Sequence, residues 1–342
     1  MADPCFPGSD APYQLAYFTS SVSAMLTILI TTGNFLIIFA IAKDPLKKLR
    51  NPFAFFLANA AASDLMVGVV AMPVSTVFHY MEAKRSINRT LVYILHLTYF
   101  VSASASLFSM AAMTIDRYYA LMSLSSKRRN LSRRKCIIIS ALIWITAVSF
   151  SGFYFLLGFV TLLLVYVNIS LCTVFGMTLV TYLKVIRRMH HLTSTLQDPN
   201  GTAVNSEERQ DNMASPSKGN LNREQKVTTV FMSIMIAFIS IYTPAMIFIY
   251  ILQFCFACSC NTRHIFRDLA FLFVTFCSAT NPLICLVRFR VIKKSAIILL
   301  KCWKRSAKTD GSLDGEDHTS LQTMTPDVGR RRVVGSPFVI TT

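Results

Sequence analysis

Seven apolar stretches constrain this chain more than any other feature. They cover roughly residues 15–42, 53–78, 91–122, 136–157, 159–186, 227–254 and 265–287. A bilayer's hydrocarbon core is about 30 Å thick and needs about 20 apolar residues per helical crossing. Within it a backbone must satisfy its own hydrogen bonds, which leaves helices or closed barrels. The stretches are too long for barrel strands, so they read as helices. The segment from Cys136 to Val185 is almost continuously apolar. It is too long for one crossing and reads as two helices joined near 155–160. The expectation is an all-α membrane protein: a seven-helix bundle over 15–288. Allowing for polar ends, its helices fall at about 15–42, 53–78, 91–122, 136–157, 159–189, 223–254 and 263–287.

Composition agrees. Hydrophobic residues make up 53% of the chain and charged residues 15%, against about 25% charged in soluble domains. Lys and Arg total 34, Asp and Glu 17, a net charge of +17. In a soluble chain that excess suggests nucleic acid, but here the bases sit in short clusters between apolar runs. That is the positive-inside pattern of a membrane protein. Nucleic-acid binding is therefore not expected. Nor is catalysis: the chain has no zinc-ligand motif, phosphate loop or nucleophile elbow.

The clusters orient the bundle. Asp3 and Asp10 precede the first run, and Lys43, Lys47, Lys48 and Arg50 come after it. Arg128, Arg129, Arg133 and Arg134 fall on the same side, as do Lys184, Arg187 and Arg188. Residues 1–14 lack a basic n-region and a cleavage site, and read as an extracellular N-terminus rather than a signal peptide. The C-terminus is then cytoplasmic. The sequon at Asn88 falls outside and is a glycosylation candidate; those at Asn130 and Asn200 fall inside. Residues 190–222 and 303–342 are polar and read as disordered cytoplasmic segments. Residues 289–302 interleave apolar and basic side chains, as in a short amphipathic eighth helix on the membrane surface. Cys302 is a palmitoylation candidate at its end.

Polar groups inside the apolar runs are few, and such groups are costly and usually functional. They are Asn34, Asp64 and Asn281, with Asp116-Arg117-Tyr118 closing the third run and Glu224 opening the sixth. Asp64 needs partners in a low-dielectric core, and Asn34, Ser106 and Asn281 can converge on it. Such a carboxylate binds a proton or a cation. Arg117 can pair with Asp116 or, across the bundle, with Glu224. Pro244 removes a backbone hydrogen bond within the sixth helix.

These residues carry a resemblance. Gly33-Asn34, Leu57-Ala-Asn-Ala-Ala-Ala-Ser-Asp64, Asp116-Arg-Tyr118, Trp144, Pro244 and Asn281-Pro-Leu-Ile-Cys285 are similar, in order and in span, to the rhodopsin-like (class A) G-protein-coupled receptors. The resemblance covers about residues 15–302. It implies a plasma-membrane receptor that passes an extracellular signal to a heterotrimeric G protein, with the sixth helix swinging outward and Arg117 released. It also implies receptor kinases and arrestin as partners of the C-terminal tail, contact with membrane lipids, and an allosteric sodium ion at Asp64. No other cofactor is expected. Tyr242, Pro244, Pro282 and Cys285 match the family's switch positions.

Departures narrow the branch. The position of the usual third-helix Cys is Val92, and the fifth-helix Pro is replaced by Val174. The outer Cys residues are instead Cys5, Cys255, Cys258 and Cys260, a pattern most like the melanocortin receptors and, more loosely, the cannabinoid, lysophospholipid and adenosine types. By that resemblance Cys255 pairs with Cys258, and Cys5 with Cys260; four outer Cys allow three pairings. The acidic calcium ligands of melanocortin receptors match Val74, Val92 and His96 here, so calcium is not carried over. The family's ligand face corresponds to His96, Tyr99, Phe100, Tyr166, Tyr242, Ile249, Arg267 and Phe271. Tyr99 stands where amine receptors have Asp, and the seventh run has no Lys for retinal. The expected ligand is a lipid-like molecule with an anionic head near Arg267, or a short peptide. Two other readings stay open at this point. Tyr242 and Cys285 replace residues that stabilise inactive states, which suggests a constitutively active, ligand-independent receptor; a multi-span transporter or channel is the third.

Overall fold

The computed structural model describes residues 11–86, 88–122 and 131–159, discontinuous stretches of 161–187, and residues 218–255 and 257–313. Every regular element among them is helical. Two compact units are present, Met1–Leu299 and Leu300–Thr342, and the bundle lies in the first. Its helices are α1 (Tyr13–Lys43), α2 (Pro52–Ala83), α3 (Arg89–Met122) and α4 (Arg133–Gly152), then α6 (Lys218–Phe254) and α7 (Cys260–Arg288). The described residues between 159 and 187 are helical and belong to α5. Six helices among the described residues are long and apolar enough to cross a membrane. Residues 1–10, including Cys5, lie outside the described residues. So do 123–130, Val174, 190–217, 314–342, and the side chains of Tyr118, Glu224 and Cys302.

Local signals start and stop the helices. Asn51 caps α2 by accepting from the Ala54 N–H at 2.9 Å, with Pro52 next in the chain. Ser132 caps α4 and Ser259 caps α7 in the same way. Such caps satisfy donors that a helix start leaves unpaired. The fourth apolar run breaks at Phe153, resumes as a single turn over Tyr154–Leu157, and ends at Gly158 with φ 75°. This turn and Gly158 lead directly from α4 to the described start of α5 at Phe159. α2 contains a π-helical turn at Val67–Ala71, just before Pro73. Such a turn shifts the register of the helix beyond it, here the segment that carries His79 and Glu82.

The surface partition is that of a membrane bundle. In α1 the small polar residues Thr19, Ser20, Ser23 and Asn34 are buried, while Met25, Ile28 and Phe35 are exposed. Without a hydrophobic force between helices in lipid, close approach and interhelical hydrogen bonds hold them. Accordingly Ser23 and Ser75 hydroxyls lie 3.1 Å apart, and Ser20 donates to the Thr76 carbonyl at 2.8 Å. Trp144 Nε1 donates to Asn59 Oδ1 at 3.0 Å, and Asn59 Nδ2 donates to Ser109 Oγ at 2.7 Å, tying α4, α2 and α3. Gly33 admits Pro282 so closely that a Cβ there would stand 2.8 Å from Pro282 Cγ. The amphipathic segment forms α8, Arg290–Leu313, longer than expected. Within the first unit, Ile292, Ser295 and Ala296 of this helix are buried, and Phe289, just before it, packs on Phe53 with ring centroids 5.5 Å apart.

Candidate functional site

Four places in the bundle gather polar or aromatic groups, and all four use α3 or α7.

The first is a cavity of about 120 Å³ among α2, α3, α5, α6 and α7. α3 supplies Val92, Leu95, His96 and Tyr99, whose spacing of three and four residues puts them on one helix face. Phe78, Phe159, Leu163, Ile249, Leu252 and Phe271 make the rest of the wall largely apolar. His96 stacks on Phe159 at 3.8 Å between ring centroids, and its Nδ1 lies 3.2 Å from the Tyr154 hydroxyl. Five of the expected pocket residues line this cavity: His96, Tyr99, Ile249, Arg267 and Phe271. Phe100 and Tyr166 do not. They pack against each other, 6.1 Å between centroids, in the core beside it. Phe100 comes one residue after Tyr99, about 100° round the helix, which turns it away from the cavity. Tyr242 lies deeper, beside Asp64 in the polar core.

The second is a buried charged cluster at one end of that cavity. Arg267 Nη2 donates to both carboxylate oxygens of Glu82 at 3.0 Å, and Arg267 Nε donates to Asp268 Oδ1 at 2.8 Å. His79 Nδ1 is 2.9 Å from Glu82 Oε2, and Thr19 donates to Asp268 Oδ2 at 3.0 Å. The expectation of an open anion receptor at Arg267 is therefore corrected: two carboxylates already neutralise it. Sequence reading missed Glu82, His79 and Asp268. Glu82 lies past the apolar run that ended at 78, yet α2 continues to Ala83.

The third is the polar core. Ser278 Oγ donates to Asp64 Oδ1 at 2.7 Å, and Asn281 Nδ2 donates to Asp64 Oδ2 at 2.8 Å. A cavity of about 20 Å³ adjoins them, lined also by Ser102, Ser106, Tyr242 and Cys277. That is room for one water or a small ion. The Ser102 hydroxyl, buried on its wall, has no hydrogen-bond partner among the described residues. Asn34 does not reach Asp64 directly; its Nδ2 donates to the Ser278 carbonyl at 3.1 Å, and a smaller cavity of about 10 Å³ joins the two. A carboxylate with hydroxyl neighbours and no basic partner among the described residues is a donor set that fits a hard cation. The hydroxyl of Ser278 was not among the expected members.

The fourth lies at the opposite end of α3. Arg117 is buried and pairs with Asp116, with Arg117 Nε 3.1 Å from Asp116 Oδ2. Its guanidinium also lies over the Phe53 ring, 4.9 Å from the centroid. Glu224 sits on α6, with its side chain outside the described residues.

The helical arrangement is shared with known proteins. Residues 33–162 match the profile of the 7 transmembrane receptor (rhodopsin family). Over that stretch, a little over a third of its length, the chain is similar to rhodopsin-family receptors. Dopamine receptor 4 of Caenorhabditis elegans is 26% identical over 129 residues, 37% of this chain and 25% of that protein. The 5-hydroxytryptamine receptor 2C of Homo sapiens is 29% identical over 132 residues, 38% of this chain and 28% of that receptor. The matched stretch thus spans only about a quarter of these curated relatives. The crystal structure of squid rhodopsin shares the fold, with a TM-score of 0.63 and 15% identity over 94% of this chain and 97% of that one. Cys255 and Cys258 form a disulfide, the pairing that the resemblance implied. Cys260 is also disulfide-bonded; Cys5 lies outside the described residues. Asn88 is exposed. Among the switch positions, Tyr242 stacks on Phe238 at 4.1 Å, and Pro282 and Cys285 are buried.

Proposed function

We propose that the chain is a plasma-membrane receptor, with its disulfide end outside, that converts occupancy of the aromatic cavity into activation of a heterotrimeric G protein. The single observation that carries this reading is the layout of α3. Tyr99 lines the cavity and Arg117, 18 residues on, is buried against Asp116 at the other end. At 1.5 Å per residue that is about 27 Å of one continuous helix. Between them Asp64, Asn281 and Tyr242 surround a small polar cavity, and Pro244 sits within α6. A ligand that favours one packing of α6 and α7 shifts the population in which Arg117 is freed and a G-protein segment enters.

The ligand is a lipid-like molecule or a short peptide that places one ring or a short hydrocarbon segment in the cavity. A dry cavity of similar size, about 150 Å³, holds benzene. The relatives' names speak of dopamine and 5-hydroxytryptamine, but the α3 wall offers Tyr99 to a ligand where those amines want a carboxylate. Asp268 and Glu82 are held by Arg267. A sodium ion held at Asp64 would supply a positive charge favouring the packed, inactive core. Asp64, Ser102, Ser106 and Ser278 are the residues to hold it.

The test is to screen lipids and short peptides on membranes holding the chain, reading guanine-nucleotide exchange on added heterotrimers. A hit that is lost in Tyr99→Trp, which fills the cavity, supports the reading. Solute flux that persists in Arg117→Ala would instead establish a transporter.

A further inference from the structure

The charged cluster has a composition that ion pairing alone does not require. On α2, His79 and Glu82 are spaced i, i+3; on α7, His264 and Asp268 are spaced i, i+4. Both spacings put the two side chains on one helix face, and the two faces meet. All four residues are buried. Single donor atoms of His79, Glu82 and Asp268 lie within 4.8 Å of one another. His79 Nδ1 is 2.9 Å from Glu82 Oε2 and 3.9 Å from Asp268 Oδ2, and His264 Nδ1 is 4.0 Å from Glu82 Oε1.

We propose that His79, Glu82, His264 and Asp268 form a zinc-binding site that joins α2 to α7 at the edge of the cavity, with Arg267 occupying the charge position when zinc is absent. Two imidazoles and two carboxylates are a zinc donor set, and zinc bonds of about 2.0–2.1 Å put tetrahedral donors about 3.3 Å apart. Three of the separations, 2.9, 3.9 and 4.0 Å, bracket that value; His79, Glu82 and Asp268 form the compact group, and His264 has to move in as the fourth ligand. Charge agrees. Glu82 and Asp268 carry two negative charges and Arg267 only one positive, so a divalent ion neutralises the pair where Arg267 does not. Arg267 has a way out: its side chain is 27% exposed, whereas those of Glu82 and Asp268 are nearly fully enclosed. Thr19 holds Asp268 from α1 at 3.0 Å, the kind of outer contact that orients a metal-binding carboxylate. The assignment does not depend on the G-protein reading.

The experiment uses the full chain in lipid nanodiscs, stripped with chelator and titrated with zinc chloride by calorimetry and thermal unfolding. The expected result is one zinc per chain and a raised Tm, with no equal effect of magnesium. The double variant His79→Ala/Asp268→Asn binds at least tenfold more weakly. Arg267→Gln, which removes the competing cation, binds at least tenfold more tightly, a gain that misfolding cannot produce. Absence of binding, equal binding by the double variant, or weaker binding by Arg267→Gln overturns the proposal.

Discussion

Arg267 on α7 donates from one nitrogen to both carboxylate oxygens of Glu82 on α2, at 3.0 Å each, across 185 residues of sequence. This contact closes one end of the bundle and sets the charge of the cavity beside it. Removing one partner of a buried pair leaves the other charge without compensation and costs about 3–5 kcal/mol.

Arg267→Ala is therefore expected to lower stability by about 3 kcal/mol, the lower end of that range because Arg267 is partly exposed. Glu82→Gln removes the charge rather than stranding it. The double variant should lose at least about 1 kcal/mol less than the sum of the two, as coupled neighbours do. Thermal unfolding of the purified chain in detergent, with all four members of the cycle, measures the coupling. Strict additivity contradicts the pairing.

Gly33→Val tests the approach of α1 to α7. The added Cβ meets Pro282 Cγ at 2.8 Å and Cβ at 3.0 Å. Pro282 is rigid, so the helices must separate, an overpacking penalty of about 1–3 kcal/mol. A lower Tm and less folded protein by size-exclusion chromatography are expected. An unchanged Tm shows that the helices do not meet there.

Asp64→Asn keeps a side chain that can accept from Asn281 while removing the negative charge. Sodium, compared with choline at equal ionic strength, is expected to raise the Tm of the native chain and to leave that of the variant unchanged. An equal sodium response in both places the cation elsewhere.

Much of this was legible in the sequence because the constraint is local. Bilayer thickness sets a minimum helix length, so apolar runs locate helices without fixing their ends (α6 begins at Lys218, ahead of a run that starts at 227), and the intramembrane Asp64 and Asn281 find each other because burial leaves each in need of a polar partner. Ser278 escaped notice because a serine among small residues carries no signal of its own. The Glu82–Arg267 pair escaped because it depends on which helices are neighbours. Glu82 also lay beyond the run ending at 78, where a charge reads as solvated. Phe100 and Tyr166 were expected in the cavity because aromatic residues mark both a pocket and a core; only their helix face separates the two.

The most direct test concerns Arg117, 3.1 Å from Asp116 at the end of α3. If the chain is the receptor proposed and that pair holds it inactive, Asp116→Asn removes the negative charge beside Arg117 without adding bulk. Guanine-nucleotide exchange should be measured on a panel of purified heterotrimers with membranes bearing native chain, Asp116→Asn, and Asp116→Asn/Arg117→Ala at matched abundance. The account predicts that Asp116→Asn raises basal exchange on at least one heterotrimer severalfold, and that adding Arg117→Ala abolishes the gain. Exchange that stays at background for Asp116→Asn on every heterotrimer, or a gain that survives loss of Arg117, would contradict it.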